Sequence, residues 1–291
     1  TVIGRENYRQ LLYPMPVSNF MFVGRSAATT LARMGIHTIG DLAASDRGCL
    51  VAAVAASATP RDAEGSYMPC FLVGEGVARS VAMSLGVPLF TFSHQQGHIA
   101  AALYSANKTD LFDTRFLAFH VSGGTTDIVL CEPDSEKIFK TTPIASSSDL
   151  KAGQAIDRIG VKMGINFPAG VGVELLAQNS EREFKNKIKL KDGFCSLSGL
   201  ENKCLKMLSD GESKEDTAKF LLTYIADSVT AMTNDAFKKY GELPVVYAGG
   251  VMSDKIIRDI ITNRYEAFFA EPEYSCDNAA GIAYLAYLLS L

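Results

Sequence analysis

The sequence predicts an α/β fold. From residue 51 onward, short apolar runs that end in glycine turns alternate with longer stretches whose apolar residues recur at helical spacing. The composition is that of a soluble globular chain, 47% hydrophobic and 21% charged, and 291 residues allow about two domains at roughly 150 residues each. The 28 basic and 32 acidic side chains give a net charge of −4. That balance argues against a general electrostatic grip on nucleic acid and leaves room only for a local basic groove.

The first 48 residues differ from the rest. FMFVGRSAATTLARMGIHTIGDLAAS reads as helix, tight turn, helix: Ala27, Leu31 and Met34 share a face, Gly35 ends the first helix and Asp41 opens the next. LVAAVAASA is a buried strand, GEGVARSVAMSLG a helix stopped by Gly86, VPLFTF a strand, and QQGHIAAALYSA a helix. RFLAFHVSGGTTDIVLCEP reads as two strands around a glycine turn. GQAIDRIGVKMG and DTAKFLLTYIADSVTAMTNDAFKKYG are helical, PVVYAGGVMSDKIIRDIITNRY is strand, turn and helix, and DNAAGIAYLAYLLS is a capped apolar helix. In EREFKNKIKLKDG, Lys185, Lys187, Lys189 and Lys191 alternate, which reads first as a solvated edge strand or loop and second as a binding surface.

No apolar run approaches the ~20 residues of a membrane span, and TVIGRENYRQ is too polar for a signal peptide, so a cytoplasmic protein with no membrane contact is expected. The six cysteines include no CxxC pair, which suggests neither a disulfide framework nor a zinc ribbon.

Two segments share one design, a buried strand running into paired glycines. In HVSGGTTD, Ser122, Gly123, Gly124, Thr125 and Thr126 offer backbone N–H groups and hydroxyls to a phosphate. In YAGGVMSDK, Gly249 and Gly250 lead into a helix start, itself an anion site. Each alone is also an ordinary turn; together they suggest a nucleotide held between two loops.

His94 and His98, in SHQQGHIAAAL, sit four apart and so share a helix face, which suits two imidazoles on one metal. The competing reading is a pair of core or surface histidines. Gln95 stands where a zincin carries its catalytic Glu, so metal-assisted peptide hydrolysis lacks its base. A third ligand is sought in Asp277, otherwise the N-cap of the last helix, or in His120, otherwise a core histidine. Asp157 is either a partner for ligand hydroxyls or a solvated helix carboxylate.

In this order the segments SYMPCFLVGEGVARSVAMSLGVPL, SHQQGHIAAAL, FLAFHVSGGTTDIVL, GQAIDRIGVKMGINFPAG, CSLSGLENK, VVYAGGVMSD and SCDNAAGIA resemble the glycoprotease-like family, whose best understood members are tRNA N6-adenosine threonylcarbamoyltransferases. An older label for them is O-sialoglycoprotein endopeptidase. The resemblance implies an actin-like (ribonuclease H-like) two-lobed ATPase fold. Its domains would be a small helical extension over 1–48, a truncated N-terminal lobe over 49–112, and a C-terminal lobe over 113–291 whose final helix returns to the first lobe. It implies His94, His98 and Asp277, with His120 as a further ligand, on one divalent metal, iron or zinc. It implies nucleotide or substrate contacts at Val121, Ser122, Gly123, Gly124, Asp157 and Gly170, with Asp254 standing where the family usually has Asn.

The implied reaction moves a threonylcarbamoyl group from threonylcarbamoyl-adenylate to N6 of adenosine in tRNA, releasing AMP, with tRNA and the proteins of the threonylcarbamoyl-transfer machinery as partners. The chain departs from the family at Gln96, usually Glu, and at Thr125, often His or Asn. It also lacks a GIDTS-like phosphate loop before Val51. Residues 1–48 instead resemble the helix-hairpin-helix of Y-family DNA polymerases, where the backbone around Gly24 would meet a DNA phosphate. A non-catalytic nucleotide-binding scaffold and a DNA-binding module are the alternatives.

Overall fold

The structure, a computed structural model, describes residues 7–19, 25–33, 35–44, 51–271, 273–274 and 278–291. It divides into two compact units, Thr1–Gly97 with Asp277–Leu291, and His98–Cys276.

The first unit begins with three short helices, α1 (Tyr8–Leu12), α2 (Arg25–Arg33) and α3 (Ile39–Ala44). The expected helix–turn–helix is there, with Gly35 at φ 79° between α2 and α3. Thr38, not Asp41, opens α3. Its Oγ1 accepts the Asp41 N–H at 3.0 Å while the Asp41 carboxylate accepts the Thr38 and His37 N–H groups, a reciprocal cap. Gly24 and Met34 lie outside the described residues.

Next come β1 (Val54–Thr59), α4 (Pro69–Leu85) and β2 (Leu89–Ser93). α4 starts five residues before the expected Gly74 because Pro69 fits the first helical position, where no N–H is needed. Gly86, at φ 69°, ends it as expected. β1 and β2 pair in parallel, and α4 connects them. The last helix, α11 (Ala279–Leu289), has Asn278 at its N-cap position. Asn278 makes no cap. Its side chain instead donates to the His94 carbonyl and accepts from the Ser57 hydroxyl at 2.9 Å.

The second unit contains a five-stranded sheet in the order β5-β4-β3-β6-β7, from β3 (Phe116–Val121), β4 (Thr126–Asp134), β5 (Ile138–Ser146), β6 (Val245–Ala248) and β7 (Ala267–Phe269). β3, β4 and β5 form an antiparallel meander, and β3, β6 and β7 run parallel. In register across the parallel strands, Phe119, Tyr247 and Phe269 stack with centroids 5.1 and 4.9 Å apart. The chain continues through α5 (His94–Ser105), α6 (Ala152–Lys162), α7 (Gly170–Gln178) and α8 (Ser198–Ser209) to the 27-residue helix α9 (Lys214–Tyr240), whose Thr233 shares a 3.2 Å hydrogen bond with the buried Tyr247 hydroxyl. α9 is capped by Ser213 Oγ, which accepts the Asp216 N–H, and its end carries Lys238 and Lys239 before Gly241. Leu221, Ile225, Val229 and Met232 on α9 are buried in the same core as Leu117, Phe119 and Val245 of the sheet.

Among the described residues no helix is long and apolar enough to cross a membrane. Cys70, Cys131, Cys195 and Cys204 are free thiols.

Candidate functional site

β3 and β6 are parallel neighbours, paired from Leu117↔Val245 to His120↔Ala248, so their carboxyl ends open on the same edge of the sheet. That edge is where open α/β sheets bind ligands. Both glycine loops leave from it, and the structure brings them together.

The first loop is a four-residue turn between β3 and β4. The Ser122 N–H donates to the Thr125 carbonyl at 2.9 Å. Ser122 Oγ accepts the N–H groups of Gly124 and Thr125, each at 3.2 Å, and shares a 2.8 Å bond with the Thr125 hydroxyl. Several of these hydroxyls and N–H groups therefore satisfy one another within the turn. Gly123 and Gly124 remain exposed, with open space where a Cβ would stand.

In the second loop, Gly249 has φ 97°, and a Cβ there would collide with the Val121 carbonyl oxygen. The expected helix follows this loop, after one intervening turn. Gly250–Ser253 form one 3-10 turn before α10 (Lys255–Thr262). Asp254 caps α10, Oδ1 accepting the Ile257 N–H at 3.0 Å. Burial raises its carboxyl to about 6, the Ile257 N–H opposing the shift and the nearby Glu174 charge adding to it.

α6 (Ala152–Lys162) begins directly behind the first loop. Its Ala152 N–H donates to Thr126 Oγ1 at 2.9 Å and its Gly153 N–H to the Ser122 carbonyl at 3.2 Å. A Cβ on Gly153 would sit 2.7 Å from the Gly123 Cα, so only glycine allows this approach. The positive end of the α6 dipole lies behind the loop as a result.

Asp157 follows one turn along α6. Its Oδ1 accepts the Ala169 N–H at 2.8 Å, tying down the start of α7 (Gly170–Gln178), whose first residue, Gly170, is exposed. Asp157 is thus neither simply solvated nor wholly available to a ligand. It also lines an open groove of about 590 Å³ with Gln154, Arg158, Phe167 and Glu201; Arg158 and Glu201 pair at 3.1 Å.

His94 opens α5 (His94–Ser105) and His98 follows one turn later. Burial lowers the His94 pKa, with a hydrogen bond to Asn278 opposing, which favours the neutral, ligating imidazole. The rings of His98 and His120 lie 4.5 Å apart, centroid to centroid, so the strand histidine does meet the helix histidine. His120 Nδ1 is 3.2 Å from the Thr125 hydroxyl, linking it to the first loop.

Gln96 has a local role. Its Oε1 accepts the Ser93 N–H at 2.8 Å while Ser93 Oγ accepts its N–H at 3.1 Å, a capping box that Glu or Gln completes equally. Two imidazoles at one-turn spacing fit a metal. Among the described residues, however, no group of three or more His, Cys, Asp or Glu stands ready to hold one, and Asp277 lies outside them.

One residue of this region carried no sequence signal. Asp149, before α6, accepts the N–H groups of Leu150 (2.6 Å) and Leu197 (2.8 Å) and the hydroxyls of Ser196 (2.7 Å) and Ser198 (2.6 Å). Partial burial opposes its ionisation, but the Ser198 and Ser196 hydroxyls and the two N–H groups hold it well below the usual carboxylate range. It fixes the start of α8 (Ser198–Ser209), which carries Glu201 into the groove.

The family described as tRNA N6-adenosine threonylcarbamoyltransferase matches residues 50–284. A protein of that name from Kosmotoga olearia is 34% identical over 226 residues, 74% of this chain, which spans 66% of that relative's length. Among solved structures, T. kodakarensis HypF superposes with a TM-score of 0.60 at 14% identity, over 92% of this chain and 44% of that one. Full-length HypF in its phosphate- and nucleotide-bound form superposes with a TM-score of 0.55 at 14% identity, over 73% of this chain and 38% of that one. At these identities the structures speak for the fold alone, consistent with the actin-like α/β class.

Proposed function

This chain belongs to the tRNA N6-adenosine threonylcarbamoyltransferase family, and on that premise we propose that it transfers a threonylcarbamoyl group from threonylcarbamoyl-adenylate to N6 of adenosine in tRNA. The observation that carries the reading is the close approach of Gly249 to Val121, which sets the two glycine loops side by side at the carboxyl ends of β3 and β6. In this reading Val121, Ser122, Gly123 and Gly124, with Gly249 and Gly250, receive the adenylate phosphate. The α6 dipole behind Gly123 offsets the charge that builds on the departing AMP. Asp157, Gly170 and Asp254 contact the rest of the nucleotide.

His94, His98 and Asp277 would hold one divalent metal, iron or zinc, with His120 as a further ligand through its approach to His98. When bound, the metal supplies Lewis-acid polarisation of a carbonyl. The chain's own part is to keep the His94 imidazole neutral by burial and to seat His120 against Thr125. tRNA and the proteins of the transfer machinery are the proposed partners.

The test is release of AMP from threonylcarbamoyl-adenylate in the presence of unmodified tRNA, with and without those proteins. Turnover above the uncatalysed background is expected. Nucleotide binding with no AMP release in either arm would leave a nucleotide-binding scaffold and remove the transferase.

A further inference from the structure

We propose that Lys185, Lys187, Lys189 and Lys191 form a linear grip for the phosphate backbone of RNA. The proposal deepens the reading above, on which the choice of RNA rests.

The lysines lie in 181–191, a segment that is neither helix nor strand before Lys191, yet burial alternates residue by residue from 183 onward. Phe184, Asn186, Ile188 and Leu190 are half-buried, while all four lysines are exposed. The inward side is anchored. Phe184 packs edge-on against Phe220 at 5.3 Å, Leu190 joins the core, and the Asn186 side chain donates to Asp227 at 3.1 Å. The far end is pinned by a two-residue turn, Asp192-Gly193, both at positive φ, with Lys191 and Phe194 exchanging two backbone hydrogen bonds.

Alternate residues of an extended chain stand about 6.6 Å apart, so four lysines make a row about 20 Å long. That step is comparable with the step between successive phosphates along one nucleic-acid strand. No ion pair among the described residues engages any of the four, whereas the neighbouring Arg182 is held by Glu212 and Asp216. The row stands out in a chain of net charge −4.

The geometry favours RNA over a membrane surface. Ile188 and Leu190, the apolar residues between the lysines, are half-buried, and a regular row matches a linear polyanion better than a diffuse headgroup plane. Phe194, 39% exposed beside the turn, adds an aromatic face on which a base can stack.

The experiment compares the full wild-type chain with a variant carrying K185Q, K187Q, K189Q and K191Q, measuring affinity for an unmodified tRNA transcript across a salt series. All four side chains are exposed, so folding is preserved, and circular dichroism checks it. Losing four single-strand phosphate contacts flattens the slope of log affinity against log salt by about 3. At low salt the affinity falls at least tenfold. Four Lys→Arg replacements keep the wild-type slope.

An unchanged slope in the Gln variant overturns the proposal, as does lost binding to phosphatidylserine vesicles with tRNA binding intact. Because the readout is binding, the two readings fail separately. Ladder-dependent tRNA binding without AMP release removes the transferase alone, and turnover with an unaltered salt slope removes the ladder alone.

Discussion

The two glycine loops share one pattern in sequence, a buried strand leading to Gly-Gly, and they differ in why glycine is there. At the second loop the reason is internal. Gly249 adopts φ 97° and has no room for a Cβ against the Val121 carbonyl. At the first, Gly123 and Gly124 lie outside the left-handed region, and a Cβ on either would meet nothing within 4 Å. One loop is therefore closed by the fold. The other keeps space that no part of the described chain fills, as a site for a large anionic ligand requires.

The sharpest test of that contrast is Gly249→Ala. A left-handed backbone costs an L-residue roughly 1–2 kcal/mol. The collision adds to this, because Val121 is held in its ladder with Thr126 and cannot retreat. A total loss of about 3 kcal/mol or more is expected, read from the urea midpoint at unchanged m-value. A loss below about 1 kcal/mol would mean the two loops are packed alike.

The same distinction explains what the sequence revealed. β3 and β6 were legible because they are buried on both faces and so read as nearly continuous apolar runs, and α9 because Leu221, Ile225, Val229 and Met232 recur at helical spacing. β5 was not. It is the edge of the sheet, paired only with β4, so its exposed side tolerates Lys140, Thr142 and even Pro143, which read as loop. α7 was hidden by Gly170 and Gly172, and α8 by its polar run from Glu201 to Lys203.

At the site, the His94–His98 spacing is a property of one helix and could be read locally. The approach of His120 to His98 joins a strand to a helix, and the Asp157–Ala169 bond links two helices. Asp149 gathers partners 47–49 residues away. No local pattern encodes such meetings.

Asp254 sharpens the comparison from the closed side, since it shares the burial of the Gly249 loop. Its folded carboxyl lies at about 6 against an ordinary 3.8, so the folded chain holds a proton that the unfolded chain releases. That contribution is fully present below pH 4 and is lost as pH rises through 6. At pH 8 the buried charge then costs about 2–3 kcal/mol by the linkage relation. Asp254→Asn keeps an acceptor for the Ile257 N–H and removes the charge. We expect about 2 kcal/mol more stability at pH 8 and a flatter stability profile between pH 4 and 6. A variant that tracks the wild type across that window would show the second loop to be wetter than its geometry implies.

The smallest stability effect falls at the open loop, and there its sign is the informative quantity. Gly124→Ala places a methyl group in open space on a backbone that L-residues adopt. Restricting the unfolded chain should leave stability unchanged or raise it by up to about 1 kcal/mol. If the space belongs to the adenylate phosphate, the same methyl blocks its approach, and AMP release should fall at least tenfold while the urea midpoint holds. Structural need and ligand access would then separate in one residue. A variant that loses stability in proportion to activity would instead place Gly124 beside Gly249, as a glycine that the fold itself requires.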